Sequence, residues 1–262
     1  MAVAATDTCK PLCVDMDGTL LATDVLWESL LVLLKNQPLK IFSLPLWLFK
    51  GKAYFKLELA RRVKLNPGAL PYRESVLAYL REEKESGRDI VLATASDQHV
   101  AQSVANHLGI FSAVYASDGR VNLSGTHKRS ALETQYGRKG FDYIGNSEVD
   151  LPIWQAADQA LLVQPSSSLL KKARQVSSVH RIFSSRKKRF SIFLKALRVT
   201  QWVKNILVFV PLLMAHKIAE PALVPQAICA FLVFSLCASS VYIVNDLLDL
   251  ESDRQHPRKK NR

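Results

Sequence analysis

The 262-residue sequence has little cysteine: four residues, Cys9, Cys13, Cys229 and Cys237. No two of them form a CxxC pair and none has a histidine at ligand spacing. That removes a zinc ribbon or a redox dithiol from consideration and leaves reduced apolar fillers, in keeping with a cytosolic first domain. The start, "MAVAATDTCK", has no basic stretch followed by an apolar core, so no signal peptide is expected. Acidic residues are scarce in one region. Residues 171–262 hold 17 Lys plus Arg against 5 Asp plus Glu, whereas residues 1–170 hold 18 of each, so the whole formal excess of +12 falls in the last third. Such a step marks a boundary near 170 and predicts an anionic neighbour for the second part. The length suffices for one large or two modest domains, each with a core.

What is present up to residue 170 alternates between strand and helix. Short apolar runs, "LCVDM" (12–16), "DIVLATA" (89–95), "SAVYA" (112–116), "FDYIG" (141–145) and "QALLV" (159–163), are too uniformly apolar for a surface sheet and fit parallel strands covered on both faces. Between them, "RESVLAYLREEKESG" puts Val76, Leu77, Tyr79 and Leu80 on one face before Gly87. In "SDQHVAQSVANHLG", Asp97 can cap a helix that ends at Gly109. The fold class expected is α/β, a doubly wound parallel sheet, and ligands of such a sheet bind beyond the carboxyl ends of its strands.

"VDMDGTL" lies at one such end. Asp15 can attack phosphorus if a divalent cation suppresses the repulsion between two anions, and Asp17, two residues on and on the same side, can protonate the leaving oxygen. The backbone of Gly18 and Thr19 can hold phosphate oxygens. Taken alone, the stretch also reads as a strand followed by an ordinary Asp-Gly turn.

Three further pieces follow in order: Thr94 in "VLATAS", Lys128 in "GTHKRSAL" and Asp150 in "YIGNSEVDLPIW". With "VDMDGTL" they resemble the four motifs of the haloacid dehalogenase superfamily of phosphotransferases, over about 10–165. The resemblance implies a Rossmann-like fold with Asp15 as nucleophile, Asp17 as general acid/base, Thr94 and Lys128 as phosphate clamps beside Gly18 and Thr19, and Mg²⁺ held by Asp15, Asp17, Asn146 and Asp150. Asn146 stands where the family usually has an acid, which leaves the site one negative charge poorer. About fifty residues after the first motif, roughly 22–72, are surplus to the sheet. Their helical patterns resemble the cap of the phosphoserine phosphatase-like branch. Within them Ile41 to Phe49 is a run of nine uncharged residues between Lys40 and Lys50. It is expected to pack inside the cap, with an interfacial segment carrying Trp47 at headgroup depth as the alternative.

Residues from about 166 to 190, rich in Ser and basic side chains, are expected to be a mobile linker along anionic lipid. Beyond it, Ala222 to Val244 gives 23 uncharged residues, about 34 Å of helix against a hydrocarbon core of about 30 Å. "QWVKNILVFVPLLMAHKI" is a weaker span that Pro211 can kink. Basic residues flank both, including Arg186 to Arg189, so the positive-inside rule places residues before 200 and after 250 in the cytoplasm and "HKIAEPA" outside. The run's place beside a span favours lipid phosphate over nucleic acid as its partner.

At the end of the long span, Asn245, Asp246, Asp249 and Asp253 fall on a helical stripe about 100° wide, with Arg254, Lys259 and Arg262 following. Bound Mg²⁺ and a diphosphate would relieve the repulsion among those acids. "NDLLDLESD" with "HPRKKNR", preceded by "LRVTQWVKNILVFVPLL", is similar to the first Asp-rich motif of the UbiA superfamily of intramembrane prenyltransferases, in the branch that includes decaprenyl-phosphate phosphoribosyltransferase, over about 190–262. The resemblance implies an all-α transmembrane hairpin, an incomplete UbiA-type bundle over 191–262, holding half of a Mg²⁺-diphosphate site. A second Asp-rich motif is absent from this sequence, and an interrupted two-domain enzyme is expected. Two classes stay open: a multi-pass membrane enzyme joining a polyprenyl phosphate or diphosphate to a phosphorylated acceptor, with a cytoplasmic phosphatase domain, or a membrane-tethered phosphate-binding domain or stand-alone phosphatase without prenyl transfer.

Overall fold

The computed structural model describes residues 10–184, 195–216, 220 and 222–255. The chain divides into two compact units at Ser185 and Arg186.

In the first unit, β1 (Leu12–Val14), β2 (Ile90–Asp97), β3 (Ala113–Ser117), β4 (Asp142–Gly145), β5 (Gln159–Val163) and β6 (Ser178–Phe183) form one sheet in the order β3-β2-β1-β4-β5-β6. Every neighbouring pair is parallel. Successive side chains alternate faces. Leu12, Val14, Ile90, Leu92, Ile144, Leu161 and Val163 join one buried cluster, while Cys13, Val91, Ala93, Tyr143, Ala160 and Leu162 join another. The crossover helices cover both faces: α4 (Glu74–Glu85), α5 (Gln98–Leu108), α6 (Thr126–Tyr136), α7 (Leu151–Ala156) and α8 (Ser167–Val176). Asp97 caps α5 by accepting from the His99 amide at 2.9 Å, and Gly109 ends it in the left-handed conformation. The strand order reverses between β1 and β4, the switch point at which an open sheet of this kind offers a crevice for ligands.

The sheet runs further than the sequence suggested. Residues 167–183, expected as linker, form α8 and β6, and β6 pairs with β5. Only its last residue is buried. Arg181 lies over the rings of Tyr79 and Phe183, 4.4 and 5.3 Å from their centroids. A polar, basic edge strand of this sort resists pairing with another chain, and for the same reason it does not announce itself in sequence. The Arg186 to Arg189 run lies outside the described residues.

The insertion after the first motif consists of α1 (Val25–Asn36), a 3-10 segment (Pro38–Ser43), α2 (Leu44–Phe49) and α3 (Lys52–Arg62). Its two ends are pinned together by the bridge between Leu21 and Tyr72 and by Ala22 N–H donating to the Pro71 carbonyl at 2.8 Å. A small core of Leu33, Trp47, Leu59 and Val63 holds it. The expectation that Ile41 to Phe49 packs inside holds for Trp47 and in part for Leu44 and is overturned for most of the run: the three helices are too short to enclose it, and it lies largely on the surface.

The second unit contains 3-10 turns over Val199–Phe209, α9 (Val210–Met214), α10 (Leu223–Leu248) and α11 (Leu250–Gln255). Among the described residues α10 alone is long and apolar enough to cross a membrane. At 26 residues it is about 39 Å long. In the place of the weaker first span the described residues hold the shorter apolar segment Val199–Met214, in which Pro211 has no amide to continue an α-helical ladder backwards. The buried residues of α10 are serines, Ser235 and Ser239, whereas Leu232, Val233, Phe234 and Leu236 face outward. Trp202 Nε1 donates to Ser239 Oγ and Asn205 Nδ2 to Ser235 Oγ, both at 2.9 Å.

Candidate active site

β1 is fully buried, and it delivers Asp15 to the carboxyl end of the sheet at the switch point. The chain then makes one wide turn, with the Leu20 amide donating to the Asp15 carbonyl and the Leu21 amide to that of Met16. Gly18 takes φ +74° there. A Cβ at Gly18 would stand 2.2 Å from Asn146 Nδ2, so glycine is required both by the turn and by the close approach of the β4 loop.

Lys128, in the first turn of α6, donates to Asp15 Oδ1 at 2.7 Å and to the Tyr143 hydroxyl at 3.0 Å. Tyr143 in turn donates to Asp150 Oδ1 at 3.0 Å. All four side chains are buried. The other Asp15 oxygen, Oδ2, faces the Thr19 hydroxyl at 3.4 Å, and the same hydroxyl lies 3.2 Å from Asn146 Oδ1. Burial pushes the Asp15 carboxyl up to about 7, opposed by Lys128 and reinforced by Asp150 and Asp17. Asp17 is also raised by burial, against the hydrogen bond from Ser96 and that from the Val25 amide. Those two donors lie 2.5 and 2.8 Å away and turn the Asp17 carboxyl toward the cap.

The structure brings Asp15, Thr19, Lys128, Asn146 and Asp150 into one network and sets Asp17 beside it. Thr94, fully buried, accepts from the Ser96 amide at 3.0 Å. The Gly18 amide donates to the Thr23 carbonyl at 3.1 Å, so in this conformation it is not available to a phosphate as the sequence suggested. Four groups escaped the sequence reading. Ser96 could have been found from strand alternation, because it lies two residues beyond Thr94, and Tyr143 from its place in "FDYIG". Arg73, whose Nε donates to the Gly18 carbonyl at 3.1 Å, and Lys56 carry no local signal. Lys56 reaches from α3 to the Ala95 carbonyl at 2.6 Å and Asn122 Oδ1 at 3.2 Å, and burial lowers its pKa. The cleft between cap and sheet, lined by Val25, Ser29, Lys56, Leu59 and Ser96 among others, offers about 20 Å³. That is room for a water.

The oxygen donors suit a hard cation. Asp15 Oδ2 and Asn146 Oδ1 face the same hydroxyl, and Mg²⁺ is commonly held by one or two protein oxygens with waters and substrate phosphate completing the shell. Asp150 is placed differently: its Oδ2 accepts from the amides of Asn146 and Ser147 and from the Ser147 hydroxyl, each at 3.1 Å, which makes it the brace of the loop. Among the described residues no group of three His, Cys, Asp or Glu side chains gathers to hold a metal ion. This applies equally to the acids of the second unit. Both Asp246 oxygens accept from Arg198, at 2.5 and 2.7 Å, Asp249 ends α10, and Asp253 lies beyond the break in α11. Asn245 Nδ2 is 3.5 Å from Asp249 Oδ2. Lys259 and Arg262 fall outside the described residues.

The family model described as haloacid dehalogenase-like hydrolase matches residues 12–155. The chain belongs to the haloacid dehalogenase-like hydrolase family. The match falls within its first unit, whose doubly wound sheet carries Asp15 at the end of β1. The uncharacterized protein y4nM of Sinorhizobium fredii is 39% identical over 254 residues, which is 96% of this chain and 49% of that protein. The decaprenyl-phosphate phosphoribosyltransferase of Mycobacterium tuberculosis is 46% identical over 72 residues, 26% of this chain and 24% of that enzyme. The nodulation protein NoeC of Azorhizobium caulinodans is 41% identical over 73 residues, 28% of this chain and 24% of its own. The chain thus spans about half the length of y4nM and about a quarter of the other two. Among solved structures, a substrate-bound phosphoserine phosphatase complex gives a TM-score of 0.47 at 13% identity, over 70% of this chain and 96% of that one.

Proposed function

We propose that the first unit is a Mg²⁺-dependent phosphomonoesterase working through an aspartyl-phosphate on Asp15, and that the second unit anchors it in a bilayer as the opening part of a UbiA-type prenyltransferase. The observation that carries the first half is the Lys128–Asp15–Thr19–Asn146 network at the switch point. Lys128, a phosphate clamp, holds Asp15 Oδ1, which makes Oδ1 the attacking oxygen and leaves Oδ2, facing Thr19 and Asn146, for the cation. As the bond from Oδ1 to phosphorus forms and the ester bond breaks, the leaving oxygen takes a proton from Asp17, whose pKa burial raises. Water then attacks the aspartyl-phosphate, gives its proton to Asp17 and releases inorganic phosphate. Lys128 and the Thr94 hydroxyl hold phosphate oxygens, and Tyr143 and Asp150 fix Lys128 and the β4 loop. Bound Mg²⁺, held by Asp15 and Asn146, supplies charge neutralisation between the carboxylate and the phosphate.

Support for the anchor is the inside-out burial of α10, with serines inward and large apolar residues outward, as in helices packed in lipid. The prenyltransferase reading rests on the partial likeness to decaprenyl-phosphate phosphoribosyltransferase and on the acids that follow α10. In this reading the substrate is a phosphorylated, polyprenyl-linked product at the membrane face, and the flanks near 185 and 258 are cytoplasmic. Tethering raises the effective concentration of such a substrate to the millimolar range for a short connection. The test is hydrolysis by the full chain in lipid nanodiscs of an aryl phosphate and of a polyprenyl-phosphoryl-pentose phosphate, with and without Mg²⁺. Higher kcat/KM on the lipid-linked ester than on free pentose phosphate supports the pairing of the two units, and the opposite order refutes it.

One residue favours a second reading. Asn146 offers a neutral oxygen where an acid would bind a cation more firmly, and a domain that binds phosphate without turnover would need no more. Magnesium-dependent release of phosphate separates the two.

A further inference from the structure

The cap carries an apolar surface that nothing in its own fold covers. Leu39, Ile41, Phe42, Leu46, Leu48 and Phe49 lie within eleven residues of one another, and each is between 46% and 89% exposed. Phe42 and Phe49, at 81% and 89%, give their rings almost wholly to solvent. Trp47 of the same segment is buried under the Arg62 guanidinium, which stands 4.6 Å from its ring centroid, so the outward projection of the others is fixed from within. An apolar projection of this density on a water-facing domain marks a binding surface.

The charge around it says for what. Lys35, Lys40, Lys50 and Lys52, all exposed, flank the apolar run in the sequence, and no Asp or Glu occurs between Glu28 and Glu58. Large apolar side chains flanked by lysines suit an anionic lipid surface: rings and Leu side chains enter the acyl boundary while the ammonium groups meet lipid phosphates. A protein partner offering an apolar groove would match the apolar run and not its uniformly positive flanks. The same chain carries α10, long enough to cross a bilayer, so a lipid surface is within reach of this domain wherever that helix is inserted.

We infer that the Pro38–Phe49 segment of the cap is a bilayer-docking surface, inserting Phe42, Phe49 and their apolar neighbours among the lipids of an anionic leaflet with Lys35, Lys40, Lys50 and Lys52 at headgroup level. Two of the lysines tie docking to the cleft. Lys52 begins α3, and Lys56, which bonds the loop beside Asp17, follows one turn later, about 6 Å along the helix axis. A docked cap therefore holds the entrance of the cleft near the lipid surface, whether or not the domain turns substrate over.

The test uses the full chain reconstituted in vesicles of phosphatidylcholine with about one quarter anionic phosphatidylglycerol, with Cys9, Cys229 and Cys237 replaced by serine and the buried Cys13 kept. An environment-sensitive fluorophore is attached at Phe42→Cys, and in a parallel sample at Gln135→Cys on the exposed face of α6. Lipids carrying a quencher on the acyl chain are expected to quench the probe at 42 and to leave the probe at 135 unquenched, because tethering alone brings both sites near the surface and only insertion reaches the acyl region, roughly 5–10 Å deep. Replacing Lys35, Lys40, Lys50 and Lys52 by glutamine is expected to weaken the quenching on anionic vesicles, at about fivefold in partition per lysine. Adding Phe49→Asp is expected to abolish it. These side chains are exposed, so the core is undisturbed. Equal quenching at both positions, or none at 42, overturns the inference. So does a blue shift at 42 that depends on protein density and not on lipid, which would mark a contact between copies of this chain.

Discussion

Replacing Asn146 by aspartate tests the metal site through a charge that the natural chain does not have. The substitution is isosteric, so the close approach to Gly18 and the hydrogen bond from Thr19 survive it. Asp15 Oδ2 and the new carboxylate would both lie within 3.4 Å of the Thr19 hydroxyl. At a separation of about 6 Å and an effective dielectric of about 20, two such charges repel by ~3 kcal/mol, and solvent at the half-buried position 146 trims this to ~1–3 kcal/mol. A domain of this size loses about 2–4 °C per kcal/mol, so the metal-free variant should melt roughly 3–10 °C below the parent. Mg²⁺ reverses the sign, because the new carboxylate becomes a ligand beside Asp15. Thermal unfolding across a Mg²⁺ titration, read beside the concentration needed for half-maximal hydrolysis, should show the variant overtaking the parent and needing less Mg²⁺. A variant whose melting point falls and is not recovered by Mg²⁺, or whose Mg²⁺ requirement is unchanged, refutes the placing of residue 146 at the metal.

Asp17→Asn should lower turnover of an alkyl phosphate on the order of a hundredfold or more, with a smaller loss on a nitrophenyl ester whose leaving group needs no proton. Equal losses on both esters would deny Asp17 the acid role. Gly18→Ala forces a side chain into Asn146 Nδ2 and costs about 1–2 kcal/mol for the left-handed backbone alone. The variant should stay folded, measured by circular dichroism, while its Mg²⁺ requirement rises. A chain cut after residue 165 loses α8 and β6 and leaves β5 as an uncovered edge with Leu162 and Val163 exposed. It should aggregate or unfold, whereas residues 1–184 should unfold cooperatively in denaturant. Matching transitions for the two pieces would make β6 dispensable.

The first five strands and the site at their carboxyl ends were legible because cover on both faces writes a continuous apolar run, even in the half-buried edge strand β3, and because chemistry at strand ends leaves short acidic and basic motifs just after those runs. Asp15 and Asp17 were read in this way, whereas Thr94, Lys128 and Asp150 came from the resemblance of the ordered motifs. β6 was not, since an edge strand with Ser178, His180 and Arg181 on its exposed positions has the composition of a loop. Lys56 was invisible for another reason: its partner, the Ala95 carbonyl, is 39 residues away and belongs to the backbone. The apolar run at 41–49 misled because hydrophobicity signals burial only if something is there to bury it, and the cap has too few helices. In the second unit Arg198 takes up Asp246, an ion pair 48 residues apart that no local pattern records.

The central claim is that Asp15 becomes phosphorylated. Full chain in nanodiscs, mixed with Mg²⁺ and a phosphate ester labelled on phosphorus and quenched in acid within the first turnover, should yield one labelled peptide containing residues 13–24, with the label released by hydroxylamine as an acyl phosphate requires and absent from Asp15→Asn. Label retained in Asp15→Asn, or ester hydrolysis by that variant at the parent's rate, would contradict the account.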